Sequence, residues 1–229
     1  MAKGTVRVGV VLSGCGYLDG SEIHESVLAA LYLEQEGAEV VFAAPDMPQA
    51  QVVDHGSGEP VPGETRNVLT EAARIARGDI VAVERLSADS LDALVLPGGF
   101  GAALNLCDFA GKGPQCSVHP GVEALLRAMH AAGKPIGAIC IAPALIARVL
   151  GSEKPALTIG DDRTTAAALA ACGARHEDCE VGEVVHDSRL RLVSTPAYML
   201  GPRISDVATG IAKLCRQVVA LARQPVASR

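Results

Sequence analysis

The chain has 229 residues, of which 49% are hydrophobic, 20% charged and 3% aromatic, and its formal net charge is −6. An acidic chain without a basic cluster does not fit nucleic acid as a partner, and so few aromatic rings argue against a platform for stacking bases or sugars. The length and apolar fraction predict one domain over residues 1–229, with a core from about residue 5 to residue 222.

The start of the chain and its cysteines predict a compartment. The first strand begins almost at residue 5, which leaves no room for a targeting peptide, and no apolar stretch is long enough to cross a membrane without proline or charge. The seven cysteines are an odd number and form no Cys-x-x-Cys pair, so neither a zinc site nor a disulfide framework is indicated. We therefore expect a cytoplasmic protein that holds no metal.

Apolar runs that end at glycines predict strands alternating with helices. The predicted strands cover residues 5–13, 39–44, 80–83, 92–96, 135–140, 157–159, 181–186 and 190–195. The predicted helices cover residues 21–36, 64–77, 119–132, 164–172 and 203–223, with a further helix directly after Cys140 and a loop or small hairpin at 49–63. Continuous Val, Ile and Leu strands between helices predict a mostly parallel sheet covered on both faces, with ligand sites at the carboxyl ends of its strands.

One such strand end carries Cys140. The apolar run that begins at Pro135 ends at this cysteine, and a second apolar run follows with no loop residues between. A thiol at so abrupt a strand-to-helix junction is typical of a nucleophile elbow. The N-terminus of the next helix points at the sulfur and is expected to favour the thiolate. The alternative is a buried, inert cysteine.

Two further segments end at the same edge of the predicted sheet. Strand 92–96 runs into Gly98 and Gly99, whose backbone N–H groups suit a developing oxyanion, although a simple tight turn has the same pattern. The segment that joins the first strand to the first helix carries Cys15, Glu22 and Glu25.

The two glutamates of that segment lie three residues apart and share one helix face. They either point towards the strand ends or merely complement the helix dipole. Cys15 either lines the same pocket or is buried at the strand end.

Together these segments resemble the DJ-1/PfpI superfamily, which has the flavodoxin-like fold of class I glutamine amidotransferases. Longer stretches resemble its ElbB branch, the bacterial "enhancing lycopene biosynthesis" glyoxalases, over roughly residues 5–222. These stretches are Ser13-Gly-Cys-Gly-x-x-Asp-Gly-Ser-Glu-Ile-His-Glu25, Glu64-Thr-Arg-Asn-Val-Leu, Leu96-Pro-Gly-Gly-Phe-Gly-Ala-Ala, Cys140-Ile-Ala-Pro and Thr195-Pro-Ala-Tyr-Met. The resemblance implies an α/β three-layer sandwich with a nucleophile elbow, a homodimer, and no cofactor.

The resemblance also implies roles for individual residues. Cys140 matches the nucleophile of the family and Glu25 its acidic partner. Gly98 and Gly99 match the turn whose amide faces the sulfur, and the N–H of Ile141 completes the expected set of backbone donors.

Histidine is where the sequence departs from the family pattern. Many members carry a histidine directly after the cysteine, where this chain has Ile141, or in the next strand–helix loop, where it has Thr158-Ile159-Gly160-Asp161. His24 is expected to point away from the face of Glu25, and His186 to be structural or exposed.

The resemblance implies a glutathione-independent glyoxalase acting on a small dicarbonyl. In this reading Cys140 attacks glyoxal or methylglyoxal to give a hemithioacetal, and Glu25 moves the proton that leads to a 2-hydroxy acid such as glycolate. Weak activity is expected because the histidine of the family pattern is missing, and a positioned general base commonly raises the rate by about 10²–10⁴-fold. The alternatives are a deglycase acting on glyoxal adducts, and a non-catalytic thiol sensor or binding protein linked to isoprenoid metabolism.

Overall fold

Eleven strands are present in the computed structural model, which describes residues 4–225. They are β1 (Val6–Val11), β2 (Ala38–Ala44), β3 (Val53–Asp54), β4 (Glu59–Pro60), β5 (Ile80–Ala82), β6 (Ala93–Leu96), β7 (Ile136–Ile139), β8 (Ala156–Leu157), β9 (Arg175–His176), β10 (Val185–Asp187) and β11 (Leu192–Thr195). Residues 1–3 and 226–229, which the single-domain prediction included, lie outside the described part.

Seven of these strands form the central sheet. Their order is β10-β11-β7-β6-β1-β2-β5, and every pair is parallel except β10 with β11. The pair β3–β4 is a separate antiparallel hairpin, and β8 pairs with β9 in a small parallel sheet. The carboxyl ends of β1, β6, β7 and β11 therefore meet at one edge of the central sheet.

Helices cover both faces of the sheet. They are α1 (Ile23–Gln35), α2 (Val68–Ile75), α3 (Phe100–Leu104), α4 (Phe109–Lys112), α5 (Pro120–Ala131), α6 (Pro143–Leu150), α7 (Arg163–Ala171) and α8 (Ile204–Ala222). One apolar core joins the sheet to α1, α2 and α8, and a second joins it to α3, α5, α6 and α7. The architecture is the three-layer, mostly parallel α/β fold that the sequence predicts.

The central strands are apolar on both faces because both faces are covered. All residues of β6, β7 and β11 are buried, and a fully buried Val, Leu or Ile side chain contributes about 1.5–3 kcal/mol. Gly137 of β7 lets α8 come close, since a Cβ added there would lie 2.8 Å from a methyl carbon of Leu214.

The structure differs from the sequence prediction mainly in short elements. Helices α3 and α4 were not predicted, because five and four residues are too few to show a helical period. Helix α2 begins at Val68 rather than at residue 64, since Asn67 caps it by accepting the Thr70 N–H at 3.0 Å. Within residues 4–225 no helix is both long enough and apolar enough to cross a membrane.

Candidate active site

Cys140 sits in a strained turn between β7 and α6. Its φ is +61°, a left-handed conformation that costs a non-glycine residue about 1–3 kcal/mol. The turn is held by its backbone, because the Cys140 N–H donates to the Thr195 carbonyl at 2.9 Å and the Ala142 N–H to the Ile139 carbonyl at 3.0 Å. The thiol is thereby fixed at the edge of the sheet, where the sequence predicts a nucleophile elbow.

Glu25 approaches the same point from α1 and is fully buried. Its carboxyl group accepts the Gly98 N–H at 2.8 Å and the Tyr198 N–H at 3.3 Å, and it lies close enough to the Cys140 thiol to influence its ionisation. Glu22 caps α1 by accepting the Glu25 N–H at 2.7 Å. Glu25 is thus tied to the segments that follow β6, β7 and β11.

The three predicted backbone donors separate into two groups. The N–H groups of Gly99 and Ile141 lie near the Cys140 sulfur and favour its charged form, whereas the N–H of Gly98 donates to Glu25. Gly98 must lack a side chain, because an added Cβ would lie 2.5 Å from the Cβ of Cys140 and 2.8 Å from Oε2 of Glu25. Gly99 and Ile141 therefore remain as donors to a group bound at the sulfur.

Burial controls the ionisation of this pair. It raises the pKa of the Cys140 thiol well above its usual value, the charge of Glu25 raises the pKa further, and the amides of Gly99 and Ile141 offset only part of this. The thiolate expected from the following helix is therefore wrong for the resting site. Burial, with the neighbouring charge of Glu22, also raises the pKa of Glu25, to about 8.

A cavity of about 420 Å³ opens above the thiol. Its lining residues are Tyr17, Glu22, Gly99, Phe100, Cys140, Ile141, Thr165, Tyr198 and Met199. Burial raises the pKa of Glu22 as well. Glu25 is not among these lining residues, so a ligand in the cavity contacts the Cys140 sulfur first, with the carboxyl group of Glu25 beside that sulfur.

Tyr198 is a site residue that the sequence analysis did not identify. It lies in a 3₁₀ turn (Ala197–Met199) directly after β11, and Ala197 has a φ of +44°. The Tyr198 hydroxyl is 2.7 Å from Nδ1 of His24, which lies 3.8 Å from Oε1 of Glu22. The only sequence signal was the stretch Thr195-Pro-Ala-Tyr at a strand end.

The histidines lie as expected relative to Glu25. His24 turns away from Glu25 and instead holds Tyr198. His186 is exposed in β10 and is not among the residues that line the cavity.

Cys15 is not brought to this cavity. Its half-buried thiol lies among the charges of Glu71, Arg74 and Asp19, and burial raises its pKa. Of the two alternatives for Cys15, a place in the same pocket as Cys140 is therefore not found. In the described chain, no group of three or more His, Cys, Asp or Glu side chains is arranged to hold a metal ion.

Comparison with known proteins identifies relatives over nearly the whole chain. The sequence pattern of the DJ-1/PfpI family matches residues 15–194. The human "glutamine amidotransferase-like class 1 domain-containing protein 3, mitochondrial" is 46% identical, over 94% of this chain and 83% of its own. The rat "ES1 protein homolog, mitochondrial" is 44% identical, over 94% of this chain and 84% of its own.

A solved structure supports the same grouping. It is the crystal structure of an isoprenoid biosynthesis protein with an amidotransferase-like domain from Ehrlichia chaffeensis. The TM-score is 0.88 at 36% identity, over 94% of this chain and 99% of the other.

These relatives also correct the predicted compartment. The human and rat proteins are both named mitochondrial, which overturns the cytoplasmic expectation. Free thiols indicate reducing surroundings and do not say which reducing compartment a protein occupies. The family match covers most of the chain, and the fold and elbow agree with it. The chain belongs to the DJ-1/PfpI family.

Proposed function

We propose that this chain is a cofactor-independent glyoxalase that converts glyoxal, and methylglyoxal, into the corresponding 2-hydroxy acid. The observation that carries the proposal is the buried carboxyl group of Glu25 beside the Cys140 thiol, which itself lines a ligand-sized cavity. The conversion needs a nucleophile and a group that moves protons, and this pair supplies both.

The first step forms a hemithioacetal. The Cys140 sulfur attacks an aldehyde carbon while its proton passes to the Glu25 carboxylate. Glu25 then gives this proton to the alkoxide oxygen, which completes the hemithioacetal and restores the carboxylate. The N–H groups of Gly99 and Ile141, which lie at the sulfur, are placed to stabilise the oxyanion as it develops.

The second step is an internal transfer that needs no outside oxidant. Glu25 removes the C–H proton of the former aldehyde carbon to give an enediol, and a proton then enters at the neighbouring carbon. One carbon is thereby oxidised and the other reduced, which leaves a thioester on Cys140. Water cleaves the thioester to release glycolate and restore the thiol.

The Tyr198 hydroxyl is proposed to bind the second carbonyl oxygen of the substrate. It lines the cavity and is held by His24. Burial and the charges of Glu22 and Glu25 raise the pKa of Tyr198, so its hydroxyl keeps the proton at neutral pH.

A thiol sensor is the second class of function considered for this site. Reactive sensor cysteines have a lowered pKa and are accessible, whereas burial raises the pKa of Cys140 and leaves it 7% exposed. These observations favour catalysis, in which the substrate is brought to the thiol. A deglycase would use the same aldehyde chemistry on glyoxal adducts.

The test is a comparison of rates at fixed pH, with chelator present and glutathione absent. Cys140→Ser is expected to abolish glyoxal turnover, and Glu25→Gln to lower it by on the order of 10²–10⁴-fold. Cys15→Ser is the matched control, since that thiol does not line the cavity, and it should leave the rate unchanged. Undiminished turnover by Cys140→Ser would refute the proposal.

A further inference from the structure

The chain concentrates its few aromatic rings at this one cavity. It has three tyrosines, three phenylalanines and no tryptophan. Tyr17, Phe100 and Tyr198 line the cavity, so half of the rings in the chain surround a space of about 420 Å³. Tyr17 and Phe100 form the aromatic mouth of the cavity and are 49% and 54% exposed. Large apolar side chains exposed together are unfavourable in water and mark binding sites.

The aromatic mouth is held by specific contacts. The Phe100 N–H donates to the Tyr17 carbonyl at 2.7 Å, which ties the β1–α1 loop to the start of α3. The ring of Tyr17 packs edge-on against His55 of the β3–β4 hairpin, with centroids 5.5 Å apart. The ring of Tyr17 and the backbone that carries Phe100 are thus held at the entrance before a ligand arrives.

The cavity is larger than glyoxal requires. Pockets of about 300–1,000 Å³ enclose ligands of many more atoms than the four non-hydrogen atoms of glyoxal. Ile141 and Met199 add apolar wall between the rings and the sulfur. An apolar substituent on the substrate would fill this space and displace water from it.

The charge of the lining is also one-sided. Glu22 is the acidic residue at the cavity, and none of the described lining residues is Lys, Arg or His. A carboxylate or phosphate on the substrate would therefore be desolvated with no cation to pair it and would face Glu22.

We infer that the preferred substrates are 2-oxoaldehydes with an uncharged aromatic or long alkyl substituent, rather than glyoxal itself or an anionic dicarbonyl. This inference rests on the proposed function for the reactive end of the substrate, while the aromatic mouth and the acidic Glu22 in the lining determine the preferred substituent. Phe100 is the residue that gives the preference for a ring, and Glu22 excludes negative charge.

The first experiment measures ligand class without turnover. Cys140 is alkylated with three reagents that share a reactive iodoacetyl end. Iodoacetamide is the reference, iodoacetanilide adds a phenyl ring, and iodoacetate adds a negative charge. Rates at the Cys140 peptide are divided by rates with N-acetylcysteine. Relative to iodoacetamide, the anilide should react about 10-fold faster and the acetate about 10-fold slower.

Variants assign these differences to residues. Phe100→Ala should remove the advantage of the anilide, Glu22→Gln should relieve the exclusion of the acetate, and Val81→Ala is the control because this exposed side chain lies outside the cavity. Equal normalised rates for all three reagents, or a preference that Phe100→Ala leaves intact, would overturn the inferred class.

The second experiment measures kcat/KM for glyoxal, methylglyoxal, phenylglyoxal and 4-carboxyphenylglyoxal. The ratio of kcat/KM for phenylglyoxal to kcat/KM for methylglyoxal should fall about 10-fold in Phe100→Ala. Comparing this ratio between the variant and the wild type cancels the intrinsic reactivities of the two compounds. Turnover that is best with glyoxal and insensitive to Phe100 would refute the inference alone. Absence of turnover, with the labelling preferences present, would refute the proposed function alone.

Discussion

Cys140 and Glu25 occupy one buried site, so their protonation is coupled. Burial disfavours the charge on both groups; Glu25 raises the pKa of the Cys140 thiol further, whereas the thiol offsets part of the rise in the pKa of Glu25. At neutral pH the pair therefore carries its full set of protons, and the first ionisation creates the single negative charge that catalysis needs.

The pH dependence of activity follows from this first ionisation. Because the pKa of Glu25 is about 8, kcat/KM for a neutral dicarbonyl should rise about tenfold per pH unit below that value and level off above it. A pH–rate profile checks this, with Glu25→Gln expected to lack the step. A profile that is flat between pH 6 and 9 in the wild-type chain would contradict the assignment.

The raised pKa of Glu25 also affects stability, which should fall as pH rises whereas activity should increase. The pKa of Glu25 is raised from 4.5 to about 8, so between these values the folded chain holds a proton that the unfolded chain has lost. The free energy of unfolding should therefore fall as pH rises through this window, by at most about 1.4 kcal/mol per pH unit from this group. Denaturation of wild type and Glu25→Gln at several pH values measures the difference in slope, and equal slopes would contradict the raised pKa.

Tyr198 is the residue that sequence reasoning did not find. Its position depends on the left-handed Ala197 and on the packing of a 3₁₀ turn, neither of which has a local sequence signature. Tyr198→Phe should lower kcat by on the order of 10²-fold if the hydroxyl holds a substrate oxygen in the transition state. Tyr32→Phe, outside the cavity, is the control in the same steady-state assay, and a kcat unchanged by Tyr198→Phe would remove the residue from the mechanism.

At the scale of elements, the site forms where the carboxyl ends of β6, β7 and β11 meet the start of α1. Cys140 and the Gly98–Gly99 turn were predicted because a strand–helix junction and a strand-ending glycine pair have local patterns, whereas the role of Glu25 followed only from the family resemblance. Which amide faces which acceptor could not be predicted. That choice depends on angles between β6, β7 and α1 that only the packed sheet determines.

Gly98 tests this close approach of elements. In Gly98→Ala the new methyl group would displace Cys140 or Glu25, so the variant should lose about 1–3 kcal/mol of stability and most of its activity. Gly111→Ala is the matched control, since an added Cβ there has no atom within 4 Å, and its stability should change by less than about 0.5 kcal/mol. Chemical denaturation compares the two, and a Gly98→Ala variant as stable as wild type would show that the turn has room.

At the scale of the whole molecule, the alternation of apolar strands and helices was enough to predict the layered fold. Every strand predicted for the main sheet is found there except the segment at 157–159, which forms the small sheet of β8 with β9. Its apolar residues pack among the helices on one face and are as buried as a central strand, so composition does not separate the two. The predicted homodimer stays a prediction.

The cavity also emerges only at this scale. Tyr17, Phe100 and Tyr198 are far apart in the sequence, and the low aromatic content argued against a stacking surface. The fold brings the three rings together around the thiol, which gives the site a shape that composition alone conceals.

The most direct test of the account is to count glycolate molecules formed per Cys140 thiol. Purified chain is incubated with excess glyoxal, with chelator and without glutathione, and glycolate is followed together with the free Cys140 thiol. We expect many glycolate molecules per thiol, with the thiol recovered at the end. Consumption of at most one glyoxal per thiol, without glycolate, would contradict it and make Cys140 a site of modification rather than catalysis.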